Sequence, residues 1–200
     1  YLCLLRNRKS DPPVDGFNIA SREGPLPCSL LDAILPAFPD LGSDASFLGW
    51  IVGSDNPDGW QLQLQGSFQN ISLKGLVAGR LPYELSGTAR LDLEEEALIR
   101  GGRIAYLRGT LRAENGQVSR ELIKSMAREL QLETTFPTTG PLRLSPYSEL
   151  AAKFQLDGAG LRLWGQCKAG PDGALLVGGY RQYLAGPSPN APPVRPRKMV

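Results

Sequence analysis

RIAYLRGTLRAENGQVSRELIKSMARELQL, residues 103–132, contains both hydrophobic periods from which the fold is read. In its first half, Ala105, Leu107, Gly109, Leu111 and Ala113 fall on one face. Ile104, Tyr106, Arg108, Thr110 and Arg112 fall on the other. A period of two predicts a half-buried strand. Asn115-Gly116 is a turn signal. After it the period changes: Leu122, Ile123, Met126, Ala127 and Leu130 form an apolar stripe at helical spacing. Arg120, Glu121, Lys124, Arg128 and Glu129 form the charged opposite side. Ser119 is a good N-cap, and Val118 can staple onto Ile123, so a helix over 119–131 is predicted. Its greasy side needs a surface, and the apolar face of the surrounding strands is the candidate.

Outward from this stretch the same alternation recurs. Trp60, Leu62 and Leu64 oppose Gln61, Gln63 and Gln65, and Phe68, Ile71 and Leu73 carry the pattern on. Leu85 to Leu93 alternates again, with Gly87, Ala89 and Leu91 between. Leu98-Ile99 predicts a short strand before a Gly101-Gly102 turn. Phe154 and Leu156 face away from Lys153, Gln155 and Asp157, and Leu161, Leu163, Gly165 and Cys167 face away from Arg162, Trp164 and Gln166. Phe47–Gly53 is a continuous apolar run fit for a buried strand, and Asp58-Gly59 is a hairpin signal. Ala174 to Val177 closes the series. The sum is mainly β: about eight to ten short antiparallel strands in a curved, open sheet, with one amphipathic helix packed on it. Residues 1–44 read as an irregular segment. It holds a short helix from Leu30 to Leu35 capped by Ser29, a short strand near Phe17–Ala20 and an apolar run, YLCLL, fit for an edge strand or for the end of a strand begun upstream. Residues 45–180 form the β-rich domain, and 181–200 a Pro-rich disordered tail.

Composition narrows the function. The 200 residues carry 22 Lys and Arg against 20 Asp and Glu, a net charge of +2, with no aromatic-interleaved basic patch. Nucleic acid is therefore not an expected partner. No apolar run is long enough to span a bilayer. The chain opens on Tyr rather than Met, which predicts a piece of a longer protein with any anchor upstream. There is no histidine. Ser-His and Cys-His nucleophile pairs and most zinc sites are thereby excluded, and neither metal nor cofactor is expected. Cys3, Cys28 and Cys167 are widely spaced. A Cys3–Cys28 or Cys28–Cys167 disulfide and three isolated buried thiols both remain open.

Candidates for chemistry are thin, and no enzymatic activity is expected. Glu94-Glu95-Glu96 offers carboxylates for acid–base work, but neighbours on a strand point to opposite faces, and a charge run between strands reads as a solvated turn. Ser119 and Lys124 are five apart on a helix and diverge. Gly158-Ala159-Gly160 lacks the helix that phosphate cradling needs. Asn70-Ile71-Ser72 matches a glycosylation sequon.

The apolar face is the stronger candidate site: Trp60, Leu62, Leu64, Phe68, Leu91, Leu107, Leu111, Phe154, Leu156, Leu161 and Leu163. A helix of about thirteen residues is ~20 Å long. Eight strands at ~4.8 Å spacing make a sheet ~38 Å across. The helix cannot cover it all. Either the sheet curls on itself, or part of its face meets a lipid, a partner or further chain.

Residues 59–76 (GWQLQLQGSFQNISLKGL), 81–93 (LPYELSGTARLDL), 108–123 (RGTLRAENGQVSRELI) and 147–165 (YSELAAKFQLDGAGLRLWG) together resemble the C-terminal region of AsmA/TamB-like bacterial envelope proteins. In that family Gly-punctuated amphipathic strands run through a long open sheet, and the resemblance covers about residues 45–180. It implies a taco-like groove for lipid acyl chains or a hydrophobic partner, and a role in membrane assembly or lipid trafficking. It further implies a periplasmic place, with an inner-membrane tether through an N-terminal segment absent here. The chain is short for a full bridge between membranes. A β-rich adhesion or carbohydrate-binding module is the alternative, with Tyr106 and Trp164 as sugar-stacking aromatics.

Overall fold

The computed structural model describes residues 1–9, 13–21, 23–31, 41–57, 59–79, 82–137, 143–179 and 182–186. Among these residues, thirteen strands form one antiparallel sheet. They are β1 (Leu2–Asn7), β2 (Val14–Ala20), β3 (Leu26–Pro27), β4 (Ser46–Ser54), β5 (Gln61–Ser72), β6 (Thr88–Leu93), β7 (Ala97–Arg100), β8 (Arg103–Ser119), β9 (Glu133–Thr134), β10 (Leu144–Asp157), β11 (Gly160–Gly165), β12 (Ala174–Gly178) and β13 (Tyr183–Ala185). Two helices accompany them, α1 (Leu73–Val77) and α2 (Arg120–Glu129), with a 3-10 turn at Cys28–Leu30. The main path runs β1-β2-β4-β5-β6-β8-β10-β12-β13-β9. The expected mainly-β sheet with an amphipathic helix is the fold observed.

The long strands β8 and β10 pair from Leu144↔Ser119 to Leu156↔Leu107 and form the spine. On one side of the spine, β6 and β7 share a single lane between β5 and β8, interrupted at residues 94–96. On the other side, β11 and β12 share the lane beside β10, interrupted at residues 166–173. These interruptions, and the strands before residue 44, raise the strand count above the expected eight to ten. The section read as largely irregular contributes β1 and β2, with β2 spanning the short strand anticipated near Phe17.

The predicted turn at Asn115-Gly116 does not form. β8 continues through it, because β10 stays paired there, Tyr147 opposite Gly116 and Pro146 opposite Gln117. Asn115 takes a left-handed conformation, φ 54°. On the other flank the register slips by one between Thr88↔Glu114 and Leu85↔Val118, so the turn signal is spent on a bulge. A side chain at Gly116 would strike the Ser86 carbonyl and the Tyr147 hydroxyl. That hydroxyl donates to the Ser86 carbonyl at 2.7 Å.

α2 starts at its predicted cap: Ser119 Oγ accepts from Leu122 N at 3.3 Å and from Glu84 N at 3.0 Å. Ile123 is buried, and Leu122, Met126, Ala127 and Leu130 lie against the core. The helix after Ser72 was not anticipated. α1 is capped by Ser72 and delivers Leu73 to the core. The predicted helix from Leu30 lies mostly outside the described residues, as do Asp58 of the hairpin signal and most of the 181–200 tail; the described part of that tail is ordered as β13, with Leu184 buried against its neighbours. Cys3, Cys28 and Cys167 are free thiols.

Directly opposed residues of antiparallel strands share a face, so the register aligns whole rows of side chains. One row crosses seven lanes: Leu26, Phe47, Phe68, Leu91, Leu111, Ala152 and Gly165. The Phe47 and Phe68 rings lie 4.8 Å apart. Each buried Leu or Phe of such a row contributes about 1.5–3 kcal/mol. Gly49 and Gly66 oppose each other beside it, and a Cβ on Gly66 would come within 2.2 Å of the Leu48 carbonyl. Gly66→Ala is therefore expected to lower the unfolding free energy by about 1–3 kcal/mol. Gly158→Ala, where nothing lies within 4 Å, is expected to leave it within about 0.5 kcal/mol. Chemical denaturation of the two variants checks the contrast.

Candidate functional site

The register assigns the candidate apolar residues to one face and then divides them. Leu62, Leu64 and Phe68 are sealed; Leu64 exposes 0% of its surface. They belong to the packed core with Phe47, Ile51 and Ile71, and present nothing to a ligand. Their cover comes from Cys28, Leu31, Leu41 and Ala45, from Leu73 of α1 and from Ile123 of α2, all in the same buried cluster. Sequence periodicity pointed only to the last of these, because the others sit in turns and a one-turn helix.

Leu91, Leu107, Leu111 and Leu163 are half-buried against the edge of that cluster. Phe154, Leu156 and Leu161 are also half-buried. The register makes these residues contiguous. Leu107, Leu156 and Leu161 form one row across β8, β10 and β11. Phe154 and Leu163 form part of the next row, with Gly109 between Phe154 and Leu93. At this end of the spine the inner-face side chains are half-buried rather than sealed. Trp60 stands apart: it is 42% exposed, and its ring lies 5.6 Å from that of Phe17.

At the opposite end of the spine lies a cavity of about 600 Å³, lined in part by Lys74, Val77, Tyr83, Leu85, Gln117 and Leu144. Tyr83 donates its hydroxyl hydrogen to Ser125 of α2 at 3.0 Å, which ties the helix to the cavity wall.

The outer face of the same three lanes is ionic. Glu94, at the interruption of the β6–β7 lane, receives Lys153 Nζ at 2.5 Å, Thr110 Oγ1 at 2.9 Å and Arg108 Nε at 3.4 Å. Glu95 receives Arg108 Nη1 at 2.7 Å and the Tyr106 hydroxyl. Lys153 Nζ also stands 6.0 Å from the Trp164 ring centroid. The Glu94–Glu96 turn is exposed, as expected, and its first two carboxylates also clamp β8 and β10. Periodicity could not reveal this clamp, since Arg108 and Lys153 lie 14 and 59 residues beyond Glu94 in the chain. Burial pushes the Glu94 carboxyl up, but the hydrogen bonds of Lys153 and Thr110 and the charges of Lys153 and Arg108 outweigh it, so its pKa falls. A general acid needs the reverse shift. Glu95 in turn holds the Tyr106 phenol above its ordinary pKa through the hydrogen bond between them.

The remaining candidates have structural places. Ser119 is a buried helix cap, Gly158 and Ala159 turn the β10–β11 hairpin, and Asn70 sits at φ 55° where the β5–β6 register shifts. Among the described residues no group of three or more His, Cys, Asp or Glu side chains is placed to hold a metal ion. Likewise, no described helix is long and apolar enough to cross a membrane. Comparison of the chain with protein-family models, with curated protein sequences and with solved structures found no match.

Because the Glu94 pKa is lowered in the folded chain, its network stabilises the fold above the ordinary carboxylate value of 4.5. That contribution is lost as pH falls below 4.5 and through the folded value. Glu94→Gln is expected to cost about 1 kcal/mol or less at neutral pH, as partly exposed pairs do. The gap between wild type and variant should close on acidification toward pH 3, which unfolding curves across that range would check.

Proposed function

We propose that this chain is a non-enzymatic cell-envelope domain whose inner face takes lipid acyl chains at its open end. The carrying observation is the contiguous half-buried row of Leu107, Leu156 and Leu161, backed by Phe154 and Leu163 and lying beyond the reach of α1 and α2. Apolar side chains arrayed across three adjacent strands offer a flat, greasy strip about 10 Å wide, two strand spacings. An extended hydrocarbon chain gains about 0.8 kcal/mol for each methylene it buries on such a strip. The resemblance to AsmA/TamB-like proteins supplies the setting: the periplasmic side of an envelope membrane, a tether preceding this stretch, and a part in lipid trafficking or membrane assembly.

The carbohydrate alternative has less to rest on. The Tyr106 hydroxyl is engaged by Glu95, and Trp164 shares its surroundings with the Lys153 ammonium. An open aromatic platform for a sugar ring is thereby reduced.

Displacement of a fluorescent fatty acid by unlabelled fatty acid or phospholipid tests the proposal. Leu156→Asp is expected to weaken binding at least about tenfold while far-ultraviolet circular dichroism stays unchanged. Leu64→Ala is expected instead to destabilise the fold by about 2–5 kcal/mol. Absence of binding by the folded wild type, or full binding by Leu156→Asp, would sink the idea.

A further inference from the structure

We infer that β1 is a self-association edge: a second copy of this chain adds its own β1, antiparallel, about a two-fold axis at Leu4. β1 ends the sheet, and among the described residues its strand partner is β2 alone. Tyr1 N donates to the Ala20 carbonyl at 3.0 Å, and Ala20 N donates back to Tyr1 at 2.9 Å. Antiparallel pairs alternate between bonded and non-bonded. Cys3 and Leu5 therefore spend their backbone groups on β2, while the amides and carbonyls of Leu2, Leu4 and Arg6 point away from it. Among the described residues, what reaches these groups is a long contact of 3.8 Å from the Cys3 thiol to the Leu4 carbonyl.

The side chains on this edge are apolar and uncovered. Leu2 is 64% exposed, Leu4 78% and Leu5 53%. Natural edge strands are guarded by brevity, proline, bulges or charge. β1 has none of these beyond Arg6, whose charge is met by Asp15 at 3.5 Å. Beyond the spine two strands end the sheet: β9, guarded by being two residues long, and β11, whose one strand partner among the described residues is β10.

That asymmetry selects the occupant. Head-to-tail addition would set β1 against the two-residue β9 and leave most outward groups unmatched, or against β11 in a heterologous contact that does not close on itself. Pairing β1 with β1 closes on itself. With the axis at Leu4, Leu4 faces the partner subunit's Leu4, Leu2 faces the partner's Arg6, and Cys3 faces the partner's Leu5. All outward backbone groups of Leu2, Leu4 and Arg6 find partners in this register, and no like charges meet. The inner row Leu4, Phe17, Gly53, Leu62, Ile99, Ile104 then continues into the second copy instead of ending in water.

Sedimentation equilibrium of the 200-residue chain tests this. A concentration-dependent dimer is expected. Leu4→Pro, which removes an outward N–H that β2 does not use, and Leu4→Lys should each weaken it at least about tenfold. Leu4→Lys keeps the β1–β2 hydrogen bonds, so unchanged circular dichroism would separate lost association from lost fold. In this register Cys3 lies diagonal to the partner's Cys3, at about 7–8 Å. A short bismaleimide should therefore trap the dimer, and Cys3→Ser should abolish trapping. Cys28 is buried, and burial with the Glu149 charge pushes the Cys167 thiol up to about 12, so neither competes. A chain monomeric at every concentration, a dimer undiminished in both Leu4 variants, or a dimer that Cys3 does not trap would each overturn the proposal. Recruitment of an extended apolar peptide by a monomeric chain would replace the second copy with that occupant.

Discussion

Face-to-face register between neighbouring strands is the constraint on which the rest of the molecule depends. Each strand alone is only an alternating string. Pairing converts the alternation into rows, and the row from Leu26 through Phe47, Phe68, Leu91 and Leu111 to Ala152 puts every large side chain on one face. A slip of one residue in any lane would send its apolar set to the ionic side. Glycines make the rows fit. Gly53 lies under the Phe17 ring, where a Cβ would stand 2.2 Å from it, and Gly49 lies beside Phe47.

Sealing of that face is a separate matter, and it is uneven. The covering pieces — the Cys28–Leu31 turn, Leu41, α1 and α2 — all share one cluster with the β4–β5 rows. None of them extends the buried cluster over the row of Leu107, Leu156 and Leu161. α2 spans ten residues, about 15 Å of axis, and its buried anchor is Ile123. The same alternation thus yields a dry core at one end and an open strip at the other. The difference lies in what stands above the sheet, not in the strands themselves.

This explains what could be read in advance. The period of two in Trp60–Leu64, Leu91–Leu93, Leu107–Ala113 and Phe154–Leu163 is local, and so was the facing of each residue. The helix after Ser119 was equally local, with its cap, stripe and charged side all within twelve residues. The division between sealed Leu64 and half-open Leu156 was not legible, since both are leucines in alternating strands and only tertiary cover separates them. Asn115-Gly116 misled because the left-handed conformation it favours serves a bulge as well as a turn. The clamp at Glu94 was not legible because a local charge run says nothing of Lys153, which the fold brings to it from two lanes away.

The ionic cluster and the open strip occupy opposite sides of the same lanes, and this pairing has a physical logic. Arg108 follows Leu107 on β8, and Lys153 precedes Phe154 on β10, so the groups that clamp Glu94 alternate with the groups that line the strip. Strands in a sealed core are held by packing from above. Strands under an open strip lack that contact, and their spacing must be fixed by backbone pairing and by the other face. Glu94 sits where the β6–β7 lane breaks its pairing, and it binds that gap to β8 and β10 at once. Its carboxylate is shared among an ammonium, a guanidinium and a hydroxyl, which resists splaying of the lanes better than one exposed pair would. An apolar surface left partly uncovered can keep its shape in this way without a lid, because the charges behind it do the holding that a packed layer does elsewhere in the sheet.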